Sequence, residues 1–389
     1  MKLVINITRF IVGLLFIFSG LVKANDPLGL SYKMQEFFEI WNQGLAKGSS
    51  FFSNTLVNLF EFLHEHSLAL SVIMIVFEII AGLAVLLGWR MKFFSWLLLL
   101  LIVFFTFLTG YAYYSGKFTN CGCFGDCIPI SPATSFIKDL ILLALILFLF
   151  ANRKRIQPFL SYPTNVIVMS AATILSLGIQ WYALSHLPYA DCLPFKKGNN
   201  IEAQMKMPPN AVPDVYDIKF IYKKDGKQYE FGLDQLPKDI STYTFVDQKK
   251  RLVKKGSNNE PPIKGFSLKG ESDIDSTSIV MNQPYSMLLF CENFSTPVER
   301  WKNRFATLYL QAGQRNIPVY LVSTSLEEAS KAIAGTPFAN IQIFKCDYTA
   351  IRTAARTNPC LYLLKQGTVI NKWSYINLDK ATETVKALK

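Results

Sequence analysis

Three of the seven cysteines in this 389-residue chain fall within seven residues, directly after a long apolar run. They are Cys121, Cys123 and Cys127. Cysteines at this density serve thiol–disulfide exchange, metal binding or a structural disulfide. A zinc or iron–sulfur site is disfavoured because no second pair of ligands follows at the usual spacing. The spacing therefore favours redox exchange, with a structural disulfide as the alternative and no metal expected.

The sequence leaves the pairing of these cysteines open. A Cys121–Cys123 disulfide would close a small strained ring, and a strained disulfide is easier to reduce, which suits exchange. A Cys123–Cys127 disulfide would be less strained. The remaining thiol could resolve a mixed disulfide or pair with Cys192, which lies a few residues beyond the last apolar run.

The composition indicates a membrane part joined to a polar part. Hydrophobic residues make up 51% of the chain, and 31 residues are Phe, which is more apolar than an average soluble domain. The apolar residues are concentrated in 1–185, so at least two domains are expected. The formal charge of +12 does not predict a nucleic-acid partner, because no basic stripe is interleaved with aromatics and several cations flank apolar runs. The expected partner of the first half is the lipid bilayer.

Five apolar runs are candidates to cross a hydrocarbon core of about 30 Å at about 1.5 Å per residue. They are residues 3–22, 68–89, 93–114, 136–150 and 166–184. A cleaved signal peptide is the alternative for the first run, but Arg9 would interrupt its apolar core. Between the first two runs, the pieces 34–41 and 51–63 have helical apolar spacing and are expected to lie along the membrane surface.

Basic turns predict the orientation of these spans. The turn containing Arg90 and Lys92, and the cluster 153–155, carry no acidic residue, which is typical of cytoplasmic loops. Five spans from a cytoplasmic N-terminus then place the cysteine stretch and everything after residue 185 on the far side. In a bacterial inner membrane that side is the oxidising periplasm, where cysteines form disulfides or exchange partners.

Four charged residues fall inside the predicted spans, and two of them, Arg9 and Glu78, lie away from the span ends. Glu78 lies near the middle of the second span, where a carboxylate costs at least about 2.5–3.5 kcal/mol. Arg9 lies in the first span, and we expect an Arg9–Glu78 pair or a shared polar pocket, which would either staple the bundle or serve a proton or quinone. At the start of the fourth span, Lys138 and Asp139 are expected to pair, and a cation there would lower the pKa of Cys127.

The polar half begins with a linker, 186–262, that contains a hairpin signal around Asp225-Gly226, with strands predicted over 215–223 and 227–233. Residues 249–251 are basic and are interpreted as a solvated face. From residue 263 onward, strands and helices alternate and end in a hairpin, which predicts a three-layer α/β domain. The strands are predicted at 285–291, 318–323, 341–345, 360–365 and 368–373, and the helices at 297–311, 326–334 and 348–356.

The stretch Asn358-Pro359-Cys360 before the predicted strand 360–365 resembles the thioredoxin-like fold. The resemblance implies that Pro359 is cis and that Cys360 lies where a partner's disulfide would dock. It also implies an active Cys-x-x-Cys after the strand 285–291, but residues 292–298 contain no cysteine. The domain 263–389 is therefore expected to bind or present a partner without an active pair of its own.

The membrane half resembles the DoxX family and, within it, MauE-like redox-associated proteins. The resemblance covers about the first 150 residues, and the whole arrangement is similar to DoxX-family membrane proteins common in Bacteroidetes. It implies a membrane all-α bundle of about five helices followed by an extracytoplasmic α/β thioredoxin-like domain, with quinone as the candidate cofactor. The resembling motifs are Arg9-Phe10, 13–16 (Gly-Leu-Leu-Phe), 19–23 (Ser-Gly-Leu-Val-Lys), 77–83 (Phe-Glu-Ile-Ile-Ala-Gly-Leu) and 121–125 (Cys-Gly-Cys-Phe-Gly).

These observations predict an inner-membrane thiol–disulfide redox protein. Cys121, Cys123 and Cys127 would exchange electrons with a periplasmic protein client, and Cys192 is a candidate resolving thiol. The alternative is a non-catalytic scaffold whose cysteines form structural disulfides and whose degenerate thioredoxin-like domain binds a client. A transporter is disfavoured because the five runs show no inverted repeat. The oligomeric state is left open.

Overall fold

A computed structural model describes residues 1–45, 51–118, 122, 124–254, 256 and 258–388, with only the backbone of residues 51, 52 and 252. Cys121 and Cys123 lie outside the described residues, so a disulfide between them stays a prediction.

In the described residues of the first half of the chain, the regular secondary structure is helical. Five of its helices are long and apolar enough to cross a membrane, namely α1, α4, α5, α6 and α7, which confirms the predicted helical bundle. Helix α6 begins four residues before the predicted run 136–150, because Ser131 caps it and Pro132 occupies its first turn. The helices are α1 (Lys2–Ala24), α2 (Pro27–Leu45), α3 (Phe51–Glu65), α4 (Ser67–Leu87), α5 (Met91–Ser115), α6 (Pro132–Ala151) and α7 (Tyr162–His186).

Glycines allow α1 and α4 to pack closely. A Cβ atom added to Gly13 would lie 2.9 Å from the carbonyl oxygen of Gly82, and one added to Gly82 would lie 2.9 Å from that of Gly13. A Cβ on Gly20 would collide with Ile79. Small residues at such contacts bring helix backbones together in a membrane. The antiparallel register that results sets the end of α1 beside the middle of α4.

This register shows that the predicted Arg9–Glu78 pair is wrong. Glu78 instead accepts two hydrogen bonds from Lys23 Nζ, at 2.9 Å and 2.7 Å. Arg9 lies at the opposite end of the helix pair, where its guanidinium reaches Gln157 O at 3.4 Å and covers the ring of Phe159. Arg9 and Lys23 are separated by about 21 Å along α1, at 1.5 Å per residue, so only Lys23 can reach Glu78.

The membrane bundle has two ends, and the one relevant to function is called here the loop end. It is where α1, α5 and α7 finish and where α4 and α6 begin. Helix α2 packs there against α4: Ser31 Oγ and Ser67 Oγ are 2.9 Å apart, and Ser71 Oγ donates to Pro27 O at 2.8 Å. The predicted amphipathic piece 34–41 is thus the middle of a longer helix that joins the bundle to the C-terminal half.

A small antiparallel sheet follows α7 and the short helix α8 (Ile201–Gln204). Its strands β1 (Val215–Lys224), β2 (Lys227–Gly232) and β3 (Thr244–Lys254) have the order β2-β1-β3. The predicted hairpin is confirmed. Strand β3 was not predicted, because its basic run conceals the alternation typical of a strand, and interpreting 249–251 only as a solvated face was incomplete. Lys249 on β3 reaches across β1 to pair with Glu230 on β2.

The C-terminal domain has a five-stranded sheet of order β6-β5-β4-β7-β8. Strands β4, β5 and β6 are parallel, whereas β7 is antiparallel to β4 and β8 is antiparallel to β7. The Asn358–Pro359 peptide bond, directly before β7, is cis. The elements are α9 (Thr277–Met281), β4 (Ser286–Cys291), α10 (Lys302–Gln314), β5 (Val319–Ser323), α11 (Leu326–Ile333), β6 (Gln342–Lys345), α12 (Tyr348–Ala354), β7 (Cys360–Lys365), β8 (Thr368–Ser374) and α13 (Leu378–Ala387).

This β-α-β unit followed by a β-hairpin and a helix, with a cis-proline before β7, confirms the thioredoxin-like fold. Helix α13 was not predicted, although its residues Leu378, Ala381 and Val385 fill one face of the core. The other face includes Phe195 and Ile201, which are fully buried. Part of the predicted linker therefore belongs to the core of the C-terminal domain.

Candidate functional site

A disulfide joins the cysteine stretch to the segment after the last span. Cys127 is bonded to Cys192, 65 residues later, with their Cα atoms 4.8 Å apart. Of the pairings left open by the sequence, this one occupies Cys127 and excludes a simultaneous Cys123–Cys127 bond. The cysteine stretch turns at Gly122 and Gly125, which have φ angles of 67° and 58°, a region that glycine adopts without strain.

The segment carrying Cys192 is held from both sides. Asn25, just after α1, accepts a hydrogen bond from Ala190 N at 2.8 Å and donates one to Ala190 O at 2.9 Å. The same Asn25 Nδ2 lies 3.9 Å from Cys127 Sγ. On the other side, Lys372 of β8 forms a 2.5 Å ion pair with Asp191. Both the bundle and the C-terminal domain thus position Cys192.

An open cleft of about 610 Å³ lies beside this disulfide. Its volume is within the range of ordinary ligand sites. One wall is formed by α2 and the opposite wall by α12, with Cys192 and three prolines between them. The lining residues are Gly29, Tyr32, Lys33, Gln35, Glu36, Glu39, Asp126, Pro129, Cys192, Leu193, Pro194, Pro262, Tyr348, Thr349, Arg352, Thr353 and Arg356.

Arg356 connects the two halves of the molecule at the base of this cleft. Its guanidinium binds Asp26 at 2.7 Å and Asp126 at 2.8 Å, and it also donates to Arg352 O. Burial alone would lower the pKa of Arg356, but the two carboxylates outweigh it and raise the pKa. Gly29 is required beside them, since an added Cβ would lie 2.6 Å from Asp26 Oδ2.

A second arginine extends this contact along α2. Arg352 binds Glu292 at 2.8 Å and Gln35 at 2.6 Å, and its guanidinium lies over the rings of Tyr32 and Tyr348. The hydroxyl of Tyr32 donates to Glu292 at 3.2 Å. Burial, together with the Glu292 carboxylate, raises the pKa of Tyr32, which stays a neutral donor.

Glu292 opens the segment where a thioredoxin-like domain would carry its cysteine pair, and this segment faces the bundle. Asn358 Nδ2 donates to the backbone and side-chain oxygens of Asn293, each at 2.7 Å. Beside the Tyr32–Glu292 contact, a cavity of about 210 Å³ remains between this surface, α2 and the start of α4, where Ser31 and Ser67 line it. The surface predicted to receive a partner, next to Pro359, is therefore docked on the chain's own helices.

The three cysteines of the C-terminal domain are free and buried. Burial raises the pKa of Cys291, and it raises the pKa of Cys346 and of Cys360 to about 11. Only about one such thiol in 10⁴ is a thiolate at pH 7, and the thiolate is the nucleophile. Cys360, expected where a partner's disulfide would dock, lies inside the core and has no solvent access in this conformation.

Beneath the cysteine stretch, two ion pairs lie among the spans, and both of their carboxylates are buried. Besides Lys23–Glu78, Asp139 binds Lys138 at 2.7 Å and accepts from Thr109 Oγ1 at 3.0 Å. The predicted Lys138–Asp139 pair is thereby confirmed. A cavity of about 20 Å³ lies between the two pairs and is bounded by Phe124 of the cysteine stretch, enough room for one water molecule.

Sequence reasoning missed Lys23, Arg352 and Arg356. Lys23 closes the first apolar run, where a cation is typical of an interfacial anchor, and the two arginines lie in an unremarkable helical pattern. Asp126, within the cysteine stretch, offered the one local signal, since a carboxylate at a buried interface needs a cation. Within the described part of the chain, no group of three or more His, Cys, Asp or Glu residues could hold a metal ion.

Comparisons with known proteins give separate matches for the membrane half and for the part of the chain that follows it. Residues 1–152 match the family model of the methylamine utilisation protein MauE, and residues 216–255, which correspond to the β1–β3 sheet, match a domain of unknown function (DUF8463). Protein TlpB of Flavobacterium psychrophilum is 40% identical over 88 residues, which are 21% of this chain and 22% of TlpB. The match thus spans about a fifth of that relative.

Among solved structures, a thioredoxin-like protein from Bacteroides caccae is similar at 12% identity, with a TM-score of 0.23 over 85% of each chain. The thioredoxin-like assignment rests on the strand order and the cis-proline. Because the family match of the membrane half names MauE, the resemblance to DoxX stays a prediction. The chain is a multi-pass membrane protein whose first 152 residues are similar to MauE and whose C-terminal domain is thioredoxin-like.

Proposed function

We propose that this protein is an inner-membrane thiol–disulfide oxidoreductase that oxidises a periplasmic protein client. One observation carries the proposal: the Cys127–Cys192 disulfide adjoins an open cleft of about 610 Å³, and its Cys127 belongs to the same short stretch as two further cysteines. A purely structural disulfide needs neither an adjacent cleft nor additional cysteines beside it. The MauE match over the membrane half supports the same redox theme.

The reaction balances as an exchange of two electrons. A client thiolate attacks one sulfur of a loop disulfide and forms a mixed disulfide, and the client's second thiol resolves it. The client loses two electrons and two protons, and the protein is left with two thiols. Quinone from the bilayer is the proposed electron acceptor. It takes two electrons and two protons from the reduced thiol pair by way of the loop cysteines and becomes quinol, and the disulfide forms again.

The other thiols support this assignment by their inaccessibility. Cys291, Cys346 and Cys360 are buried, and the segment that would carry the active pair of a thioredoxin-like domain begins at Glu292 and has no cysteine. Exchange chemistry in this chain therefore falls to Cys121, Cys123 and the Cys127–Cys192 disulfide. In this proposal the C-terminal domain provides one wall of the cleft.

Thiol trapping in intact cells, followed by mass spectrometry, tests the proposal. The loop cysteines and Cys192 are expected to be partly reduced, and acid quenching is expected to preserve mixed disulfides with a client. Replacing Cys346 by Ala, which removes a buried thiol that does not line the cleft, is the matched control and should leave this pattern unchanged. A fully oxidised, reductant-resistant set of cysteines without mixed disulfides would falsify the proposal.

A second candidate, a non-catalytic scaffold, is favoured by the docking of the C-terminal domain. Arg356 binds carboxylates on the bundle and in the cysteine stretch, and the disulfide adds a covalent tether to the same interface. In a scaffold the disulfide would only hold this arrangement. The reductant-resistant outcome of thiol trapping would then support the scaffold.

A further inference from the structure

The two sulfurs of the Cys127–Cys192 disulfide have different surroundings. Cys192 lines the 610 Å³ cleft, whereas Cys127 is absent from the described residues that line it. Cys127 Sγ lies instead 3.9 Å from the side-chain amide of Asn25, and Asn25 is fixed by its two hydrogen bonds to Ala190. A molecule that enters the cleft therefore meets Cys192 first.

This asymmetry determines which sulfur leaves. Thiol–disulfide exchange depends on access to the attacked sulfur and on stabilisation of the thiolate that departs. Attack on Cys192 releases Cys127 as a thiolate, and the Asn25 amide is placed to donate a hydrogen bond to it. Attack on Cys127 would release Cys192 toward the cleft, where the carboxylates of Glu36 and Glu39 oppose a new negative charge.

The exposed charge on the α2 wall is carboxylate. Glu36 and Glu39 have 39% and 53% of their side chains exposed; Glu36 pairs with Lys33, which is 22% exposed, and Glu39 lies 3.1 Å from His64. The arginines on the opposite wall, Arg352 and Arg356, are only 15% and 6% exposed and are held in ion pairs of their own. A peptide with a cation beside its thiol is therefore attracted to the cleft, and a peptide with an acid there is repelled.

We propose that Cys192 is the sulfur attacked by the client, and that the client is a dithiol peptide segment with basic residues beside the attacking thiol. The bond between Cys127 and Cys192 breaks as the client–Cys192 bond forms, and Cys127 leaves as a thiolate. The client's second thiol then attacks the client sulfur and releases Cys192 as a thiol. This inference rests on the proposed function and assigns its client-facing sulfur.

The test uses the full-length protein in detergent with Cys121 and Cys123 both changed to Ser, so that the disulfide is the remaining loop pair. A synthetic peptide with one cysteine flanked by lysines is added, the reaction is quenched with acid, and the modified sulfur is mapped by mass spectrometry. Adducts are expected on Cys192 at least about tenfold more often than on Cys127. Equal labelling, or a preference for Cys127, would overturn the assignment.

The charge preference is tested with a second peptide in which glutamates replace the lysines. The lysine peptide is expected to react about tenfold faster at 50 mM salt, and the difference should shrink at 500 mM salt because screening shortens the range of the carboxylates. Changing Glu36 and Glu39 to Gln should remove the preference, while Glu327→Gln, an exposed acid on α11, should retain it. Equal rates for both peptides would refute a basic client.

Two single-cysteine substitutions test the same assignment without mapping the modified sulfur by mass spectrometry. Cys127→Ser and Cys192→Ser, in the same background, each leave one thiol of this pair, besides the three buried thiols of the C-terminal domain, to react with an oxidised form of the lysine peptide. The Cys192 thiol is expected to form the mixed disulfide about tenfold faster, and a faster Cys127 thiol would overturn the inference. Mixed disulfides trapped in cells, but at neither of these sulfurs, would reject the inference and keep the proposed function.

Discussion

Arg356 provides the sharpest test of how the C-terminal domain is held on the bundle. Only 6% of its side chain is exposed, and its partners Asp26 and Asp126 are 12% and 29% exposed. Arg356→Ala leaves Asp26 buried without a cation, and breaking such a pair costs about 3–5 kcal/mol. The more exposed Asp126 contributes at most about 1 kcal/mol. We therefore expect the docked state to lose about 3–5 kcal/mol relative to the opened one.

Hydrogen exchange measures this opening directly. Amides in α2 and α12 exchange when the interface opens, and each 1.36 kcal/mol corresponds to a factor of ten. Arg356→Ala is thus expected to accelerate exchange in these helices by roughly 10²–10⁴-fold, with the disulfide intact. Arg356→Lys should have an intermediate effect, because one ammonium group cannot match the planar fork that binds two carboxylates.

The matched control is Arg304→Ala. Arg304 pairs with Asp379 at 3.2 Å, but both side chains are largely exposed, so less than about 1 kcal/mol is expected and α2 should be unaffected. The reasoning fails if Arg356→Ala changes exchange in α2 and α12 by less than about tenfold, or by no more than the control does. A double-mutant cycle with Asp26→Asn isolates the pair itself.

Three further predictions concern buried groups elsewhere. Glu78→Gln leaves Lys23 buried without its anion and should lower the thermal midpoint in detergent, whereas adding Lys23→Met should recover most of the loss; no recovery would argue against the pair. Cys360, with a pKa of about 11, should resist iodoacetamide at pH 8 until the protein unfolds, and prompt labelling of the native protein would contradict this. Because burial raises this pKa, the contribution of Cys360 to the free energy of unfolding is complete below pH 9 and is lost toward pH 11. Gly29→Ala should collide with Asp26 and weaken docking in the exchange assay, and unchanged exchange would count against the close contact.

The docking has a consequence for how this domain could work. In the thioredoxin-like fold, the surface beside the cis-proline and the loop after β4 is where a partner is expected. Here Glu292 of that loop binds Tyr32 of α2, directly and through Arg352. The chain's own α2 contacts this surface, which agrees with the absence of a cysteine pair there. Under the proposed function, a client would reach the disulfide through the neighbouring cleft.

The sequence by itself determined the local features of this protein. Apolar runs fixed the five spans, because each run is read from consecutive residues. Alternating patterns and turn residues predicted most strands of the C-terminal domain, and the segment after Cys291 revealed a thioredoxin-like domain without its active pair. Strand β3 and helix α13 were not predicted. In β3, charged residues obscured the two-residue period of a strand, and α13 is a short amphipathic segment, which carries little signal in the sequence.

Tertiary structure alone decided the pairings. Cys127 bonds a cysteine 65 residues away, and Arg356 meets carboxylates 330 and 230 residues earlier. Helix α1 carries three cations, Lys2, Arg9 and Lys23, and only the glycine-mediated register of α1 on α4 selects Lys23 as the partner of Glu78. The physical reason is the same for these three pairings. A buried charge or a thiol in the sequence predicts that a partner is needed, whereas the packing of helices and domains decides which partner comes within bonding distance.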